Sequence, residues 1–190
     1  IYDPRGGHFH PLNYALGLAA AARDAGVTIF ENSFARPGDV SARNVILATD
    51  TWMHDIDDKL GSYTIPIMNY NIATQPLADW ERLLPSDAAV ADSRFVLNYF
   101  RLSADKRLIF GGGEKYVQTP PADIAAFVRK HIVEVFPSLA NTPIDYAWGG
   151  TLAITVNRMP CFTRPGKNVL SASGYSGHGV AMATLAGKLL

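Results

Sequence analysis

The chain has 190 residues, of which 48% are hydrophobic and 11% aromatic, enough apolar material for the core of one or two globular domains. Its 17 basic residues equal its 17 acidic ones, and no run of like charges predicts a nucleic-acid or membrane surface. A single cysteine, Cys161, excludes an internal disulfide framework, and no apolar stretch approaches the ~20 residues of a membrane span. We therefore expect a cytoplasmic protein that acts on a small molecule. Because the chain opens at Ile1 rather than Met, we also expect a fragment.

The first part of the chain predicts a helix between two short strands. Apolar residues recur at helical spacing over residues 11–25, with Pro11 in the first turn and Gly26 where helices commonly end. The short apolar runs 27–30 and 44–49 have the β-branched content of buried strands. This alternation indicates α/β layering.

The middle of the chain predicts an antiparallel sheet covered by a helix. Residues 63–74 are rich in strand-forming types, and residues 95–102 and 107–110 read as hairpin partners joined by the polar turn 103–106. A later helix ends before Pro137. Its apolar stripe, which should cover one face of the sheet, consists of Ile124, Phe127, Val128, Ile132 and Val135.

The end of the chain predicts a strand over residues 168–173, a glycine-rich turn over 174–179 and a helix of small residues that runs to Leu190. The first amides of such a helix have no partner within it, and the helix dipole favours an anionic group there. Glycines at this turn would let a ligand approach the backbone closely. Glycines that serve backbone geometry alone are the alternative.

This turn, Gly174-Tyr175-Ser176-Gly177-His178-Gly179-Val180, resembles the closing motif of the D-amino-acid oxidase-like (DAO) flavoprotein superfamily. The order and spacing of four further stretches are similar to oxidoreductases that act on γ-glutamylputrescine and related primary or secondary amines. These stretches are Gly6 to Pro11, Val45 to Thr49, Tyr146 to Thr151 and Asn157 to Pro160.

The resemblance implies a mixed α/β (α+β) fold. Pieces of an FAD-binding domain, residues 1–50 and 141–190, would flank an antiparallel-sheet substrate lobe at residues 51–140. The amino-terminal Rossmann-like βαβ unit with its G-x-G-x-x-G turn is absent from these residues, so the missing amino-terminal half is an expected partner. This chain alone would then bind flavin weakly or not at all.

The resemblance also implies a non-covalent FAD site. Ala48 and Thr49 would lie at its adenine-nucleotide half, and Trp148 would flank the ring system. Cys161 falls later than the cysteine that some relatives link to flavin. The other residues implied to bind FAD are Gly149, Gly150, Thr151, Gly174, Tyr175, Ser176, Gly177, His178 and Gly179. His178 either reaches the flavin in a catalytic role, as Trp148 would, or is structural.

The implied reaction is oxidation of an amine to an imine by hydride transfer to flavin N5. Tyr70 is a candidate to face the substrate, and Arg101 is a candidate to pair with a substrate carboxylate, although a solvated surface arginine remains open. The alternatives are a deaminating D-amino-acid or glycine oxidase and a non-catalytic fragment that binds a ligand or partner. His8 and His10 have no clustered carboxylate, so no metal site is expected and helix entry is their simpler role.

Two stretches depart from the family pattern. Gly111-Gly112-Gly113 follows a strand but opens no helix, so we expect a bulge or a close approach to substrate or flavin. The connection between Glu31 and Arg43 is short for the family. Either a hairpin is trimmed there or residues are missing near Ala35 and Arg36.

Overall fold

The computed structural model describes residues 2–36 and 38–190 and divides them into two compact units. One unit comprises residues 2–9 and 67–151, and the other comprises 10–36, 38–66 and 152–190. The limits of these units differ from 51–140, since residues 51–66 group with the flanking segments and residues 141–151 group with the sheet. That residues 51–140 form a substrate lobe stays a prediction. None of the helices within the described residues has the length and hydropathy needed to cross a bilayer.

The chain alternates helices with strands, as the mixed α/β reading predicts. In chain order the elements are α1 (Pro11–Asp24), β1 (Val45–Leu47), α2 (Asp58–Gly61), β2 (Thr64–Pro76), α3 (Trp80–Leu83), β3 (Val90–Ala91), β4 (Tyr99–Leu102), β5 (Arg107–Lys115), α4 (Ile124–Val135), β6 (Ile144–Thr155), β7 (Cys161–Gly166), β8 (Val169–Ser173) and α5 (Gly179–Leu189). Short 3-10 turns occur at Asp50–Asp55 and Pro137–Leu139.

The first unit is built on a five-stranded sheet in the order β3-β4-β5-β2-β6, in which the neighbours β3–β4, β4–β5 and β5–β2 are antiparallel. The predicted hairpin is confirmed as β4 and β5. Its turn is closed by a hydrogen bond from the Ser103 amide to the Arg107 carbonyl at 2.9 Å, and Lys106 takes a left-handed φ of 64°. Strand β6 was not predicted, because two glycines and the run of exposed residues 145–150 hide the alternation that would indicate a strand.

Helix α4 covers one face of this sheet, as its apolar stripe predicts. Val128 and Ile132 are fully buried against the core that Phe110 and Leu108 contribute from β5. Burial of each such side chain stabilises the fold by roughly 1.5–3 kcal/mol. The helix begins at Asp123, whose carboxylate accepts from the Ala126 amide at 2.8 Å.

The three glycines of β5 form the bulge predicted as one of their two roles. The register with β2 shifts between Asn69 and Asn71, opposite this run. Protein side chains fill the space at each glycine: Tyr99 lies over its cross-strand partner Gly111, and Asn98 lies against Gly112. Gly113, with φ of 80°, faces Phe127. The neighbours seen here therefore account for these glycines without a ligand.

The second unit contains a three-stranded sheet in the order β1-β8-β7, with β1 parallel and β7 antiparallel to β8. Helix α1 matches its prediction, and the His10 side chain accepts from the Asn13 amide at 3.3 Å, which confirms the helix-entry role. Tyr14 joins α1 to α5 through a 2.8 Å hydrogen bond with Thr184.

The strand predicted for residues 27–30 is wrong. This run has no strand structure, and Val27 and Phe30 are 53% and 77% exposed. An apolar run forms a strand only when a neighbouring strand satisfies its amides and carbonyls. None of the strands within 2–36 and 38–190 pairs with it.

The short connection that follows is closed by a turn from Arg36 to Asp39. The Arg36 amide donates to the Asp39 carboxylate at 2.8 Å, and the Asp39 amide donates to the Arg36 carbonyl at 3.0 Å. Residue 37, beside the predicted position of missing residues, lies outside the described residues. The described part of this connection forms no hairpin strand.

Candidate functional site

Two parallel strands, β1 and β8, end side by side in the second unit. Asp50 follows β1 and Gly174 follows β8, and the Gly174 amide donates to the Asp50 carboxylate at 2.8 Å. Ligands of α/β proteins commonly bind at the carboxyl ends of parallel strands. Burial raises the pKa of the Asp50 carboxyl, although hydrogen bonds from the Gly174 and Tyr175 amides oppose that rise. This edge of the sheet is therefore the candidate site.

The inner half of the glycine turn is anchored to protein. The Ser176 amide donates to the Ala153 carbonyl at 3.0 Å, and the Ser176 hydroxyl accepts from the Thr155 amide at 3.2 Å. Gly174 has φ of 66°, and a β-carbon there would lie 2.6 Å from Thr155 Cγ2 and 3.0 Å from Thr64 Cγ2. Glycine is thus required at 174 by neighbouring side chains, and the amides of Gly174 and Ser176 already have acceptors within the protein.

The outer half of the turn is open. Gly177 and His178 are exposed, and a β-carbon on Gly177 would meet nothing within 4 Å. The His178 amide donates to the Tyr175 carbonyl at 3.0 Å, and its side chain does not cap α5. The first-turn amides of α5, those of Gly179, Val180 and Ala181, have no acceptor among the described residues. We call these three N–H groups the open amides.

The open amides adjoin a groove of ≈ 490 Å³. Ala48 and Asp50 line it from the end of β1, and Tyr175 and Gly179 line it from the turn. Burial, reinforced by the charge of Asp50, raises the pKa of the Tyr175 phenol, which therefore stays neutral. Thr49 instead lines a separate cavity of ≈ 770 Å³, and its hydroxyl donates to the Met53 sulfur at 3.5 Å. The structure thus brings Ala48, but not Thr49, to the groove beside the predicted turn.

The other predicted cofactor residues lie on β6 in the first unit. Trp148 is 43% exposed, and Gly149 lies directly on the ring of Tyr70. Gly150 has open space where a side chain would point, and Thr151 is half-buried. That these four residues flank the ring of the cofactor stays a prediction.

The two predicted substrate residues have different environments. Tyr70 is fully buried in the core, where its ring packs edge-on against Phe127. That Tyr70 faces the substrate stays a prediction. Arg101 is half-buried and donates to the Leu102 carbonyl at 3.2 Å. Its pairing with a substrate carboxylate stays a prediction.

Two residues at these sites escaped sequence reasoning. Asp50 was not predicted, because a single acidic residue after a short strand gives no sign of a hydrogen bond to a residue 124 positions later in the chain. Tyr99 has its hydroxyl 2.6 Å from Asn69 Oδ1, to which it donates. Burial raises the pKa of Tyr99. The sequence could have indicated Tyr99 through its cross-strand partner Gly111, because a large side chain opposite a glycine fills the space that the glycine leaves.

The residues of the groove fit a flavin. Open amides at the start of an 11-residue helix can stabilise the electron-rich edge of a ring or an anionic group. An exposed glycine tip allows close approach, and the groove is not packed shut by protein side chains. The donor set therefore suits a cofactor that gathers negative charge when it is reduced.

Comparisons with known proteins identify the family of the chain. A family model described as FAD-dependent oxidoreductase (DAO) matches residues 1–190. A probable oxidoreductase OrdL of Rhizobium meliloti (strain 1021) is 36% identical over 203 residues, covering 100% of the chain and 47% of that relative. The gamma-glutamylputrescine oxidoreductase of Escherichia coli (strain K12) is 35% identical over 206 residues, covering 100% of the chain and 48% of that relative. Among solved structures, L-proline dehydrogenase from P. horikoshii has a TM-score of 0.61 at 25% sequence identity. The superposition covers 76% of this chain and 40% of the dehydrogenase chain.

The chain spans about half the length of the relatives it matches. Both alignments are longer than the 190 residues of the chain, so the relatives carry residues that have no counterpart in it. Because the family model matches from one end of the chain to the other, the chain belongs to the DAO family of FAD-dependent oxidoreductases.

Proposed function

We propose that the protein oxidises a primary or secondary amine of the γ-glutamylputrescine type to an imine. The observation that carries this proposal is the 35% identity to a gamma-glutamylputrescine oxidoreductase along the whole chain. The open amides beside the groove support it, since they suit the reduced state of a flavin. In such a reaction the protein mainly orients the amine and keeps it neutral.

Bound FAD would supply the hydride acceptor for the carbon that carries the amine. The chain would supply the surroundings. The open amides would donate to the ring edge, the neutral Tyr175 phenol would wall the groove, and Trp148 would flank the ring from β6. His178 would contact the ligand with its side chain, which is exposed at the tip of the turn and does not cap α5.

We further propose that FAD is held without a covalent bond. Cys161 is the only cysteine, and burial raises the pKa of its thiol, which disfavours the thiolate that a flavin thioether requires. Acid precipitation of the full-length holoprotein should release all flavin into the supernatant. Flavin that stays with the precipitate would contradict this proposal.

A substrate comparison tests the amine. The full-length protein, purified with FAD, would be given γ-glutamylputrescine, putrescine, glycine and proline under anaerobic conditions. Bleaching of the flavin would be followed in single turnovers. We expect γ-glutamylputrescine to reduce the flavin with the highest ratio of rate to half-saturating concentration. Preference for an amino acid would refute the proposal.

An amino-acid substrate is the second candidate, because L-proline dehydrogenase shares the fold and Arg101 is a candidate partner for a carboxylate. Burial lowers the pKa of Arg101 and the charge of Asp87 opposes that effect. An arginine guanidinium nevertheless remains a cation in proteins. Replacing Arg101 with Met would raise the half-saturating concentration of an amino-acid substrate about tenfold or more. The same variant would leave oxidation of an uncharged amine unchanged.

A non-catalytic role as a ligand-binding or partner-binding fragment is the third candidate. The visible absorbance of oxidised flavin distinguishes it. We expect the full-length protein to carry flavin, and the 190-residue chain alone to bind little and turn over no substrate. We also propose a cytoplasmic location and assembly with the remaining part of the same polypeptide, which fractionation of cells would test.

A further inference from the structure

Among the described residues that line the groove beside the open amides, Asp50 alone carries a charged side chain. It is half-buried and lies at the carboxyl end of β1, where the next residues form a 3-10 turn. Its carboxylate points at the glycine turn and accepts from the Gly174 amide at 2.8 Å. The negative charge is therefore held in the same groove as the donors that would face a flavin.

The backbone of Asp50 is also unusual. Its φ is 44°, in the left-handed region that L residues other than Asn and Asp seldom occupy. Residues held in this region often mark positions that surrounding structure fixes for function. Here the left-handed backbone accompanies a carboxylate that meets the Gly174 amide across the ends of two parallel strands.

We propose that Asp50 is a positioning residue that fixes the glycine turn for the flavin and, through its negative charge, lowers the reduction potential of that flavin. The inference rests on the proposed binding of FAD at this turn. Asp50 anchors Gly174, and Ser176 is anchored on Ala153. With both held, the start of α5 keeps its open amides towards the groove. The open amides would stabilise the negative charge of a reduced flavin, whereas the Asp50 carboxylate would repel that charge.

Two substitutions separate these roles. Asp50→Asn keeps an acceptor oxygen and tolerates the left-handed backbone, but it removes the charge. Asp50→Gly removes the acceptor without backbone strain, because glycine adopts positive φ freely. Asp55→Asn is the matched control, since Asp55 is exposed at the end of the same 3-10 turn and carries the same charge.

The experiment uses full-length, FAD-loaded protein and measures both the FAD dissociation constant and the midpoint potential. For Asp50→Asn we expect about a tenfold gain in affinity for reduced over oxidised flavin, which raises a two-electron potential by about 30 mV. Affinity for oxidised FAD should stay within about threefold. Asp50→Gly should weaken FAD binding about tenfold or more, because a charge-assisted hydrogen bond is lost. Asp55→Asn should change neither quantity.

The outcomes separate the two proposals. Wild-type protein without FAD would overturn the proposed function and this inference together. Wild-type protein with FAD, combined with an unchanged potential in Asp50→Asn, would overturn the inference alone. The same holds if Asp50→Gly binds FAD as wild type does, or if Asp55→Asn shifts the potential as far as Asp50→Asn. Asp50→Asn preserves the shape of the side chain, so its result stands even if Asp50→Gly fails to fold.

Discussion

Gly149 lies directly on the ring of Tyr70: a β-carbon at Gly149 would fall 2.7 Å from Cδ1 of the tyrosine. The Tyr70 ring cannot move away from such a β-carbon, because it is fully buried and packs against Phe127. Strand β6 can therefore pass over the core at this point only without a side chain. The glycine that family resemblance assigns to the cofactor is also demanded by packing.

The first prediction concerns this contact. Gly149→Ala should lower the free energy of unfolding by about 1–3 kcal/mol, the usual cost of overpacking a filled site. Gly150→Ala is the control, since its β-carbon would meet nothing within 4 Å, and it should change stability by no more than about 0.5 kcal/mol. Urea unfolding of the full-length variants measures both. Equal losses at 149 and 150 would contradict the packing argument.

The second prediction concerns the core beneath α4. Leu102 is 1% exposed, whereas Leu97, just before β4, is 40% exposed. Leu102→Ala should cost about 2–5 kcal/mol through lost burial and the cavity left behind. Leu97→Ala should cost much less, because water already reaches that side chain. Urea midpoints of the two variants, with unchanged slopes, would test the difference.

The third prediction separates the two halves of the glycine turn. Gly174→Ala combines a left-handed backbone with contacts to Thr155 and Thr64, so it should cost about 2–4 kcal/mol. Gly177→Ala has φ of 92° but open space, so only backbone strain of about 1–2 kcal/mol is expected. Thermal unfolding and the ratio of bound flavin to protein check the ranking. A Gly177 variant less stable than the Gly174 variant would reverse our assignment of the anchored half.

The fourth prediction is a pH dependence. Because burial raises the folded-state pKa of Asp50 above its ordinary value, the folded state holds this proton more tightly than the unfolded state does. Stability from Asp50 is therefore full below the unfolded pKa and is lost as pH rises through the raised folded value. Urea unfolding of wild type and Asp50→Asn from pH 4 to 7 isolates this effect. The wild type should lose stability relative to the variant as pH increases, and a pH-independent difference would contradict the shift.

The local sequence pattern was enough to predict two kinds of element: strands that pair with a neighbour close in the chain, and helices with one apolar and one polar face. The stripe around Val128 and Ile132 revealed α4 because one side of that helix meets the core. The hairpin β4–β5 followed from two apolar runs with a polar turn between them. Both depend on contacts that the periodicity of the sequence itself encodes.

Pattern failed where structure depends on distant or absent neighbours. Residues 27–30 have the composition of a strand, yet no strand among the described residues offers them hydrogen bonds. Likewise, the closing motif drew attention to residues 174–179, but it could not show that the amides of Gly174 and Ser176 are taken by protein acceptors. That division of the turn depends on Asp50 and Ala153, which the sequence places far away.

The glycine run of β5 has an evolutionary consequence. Tyr99 occupies the space that a side chain at its cross-strand partner Gly111 would need, so neither position is free to change alone. A larger residue at 111 would be accepted only in lineages where residue 99 has shrunk. Related sequences should therefore show correlated changes at these two positions. Those with glycine at 111 should keep a bulky aromatic residue at 99, and those with a larger residue at 111 should have a smaller one at 99.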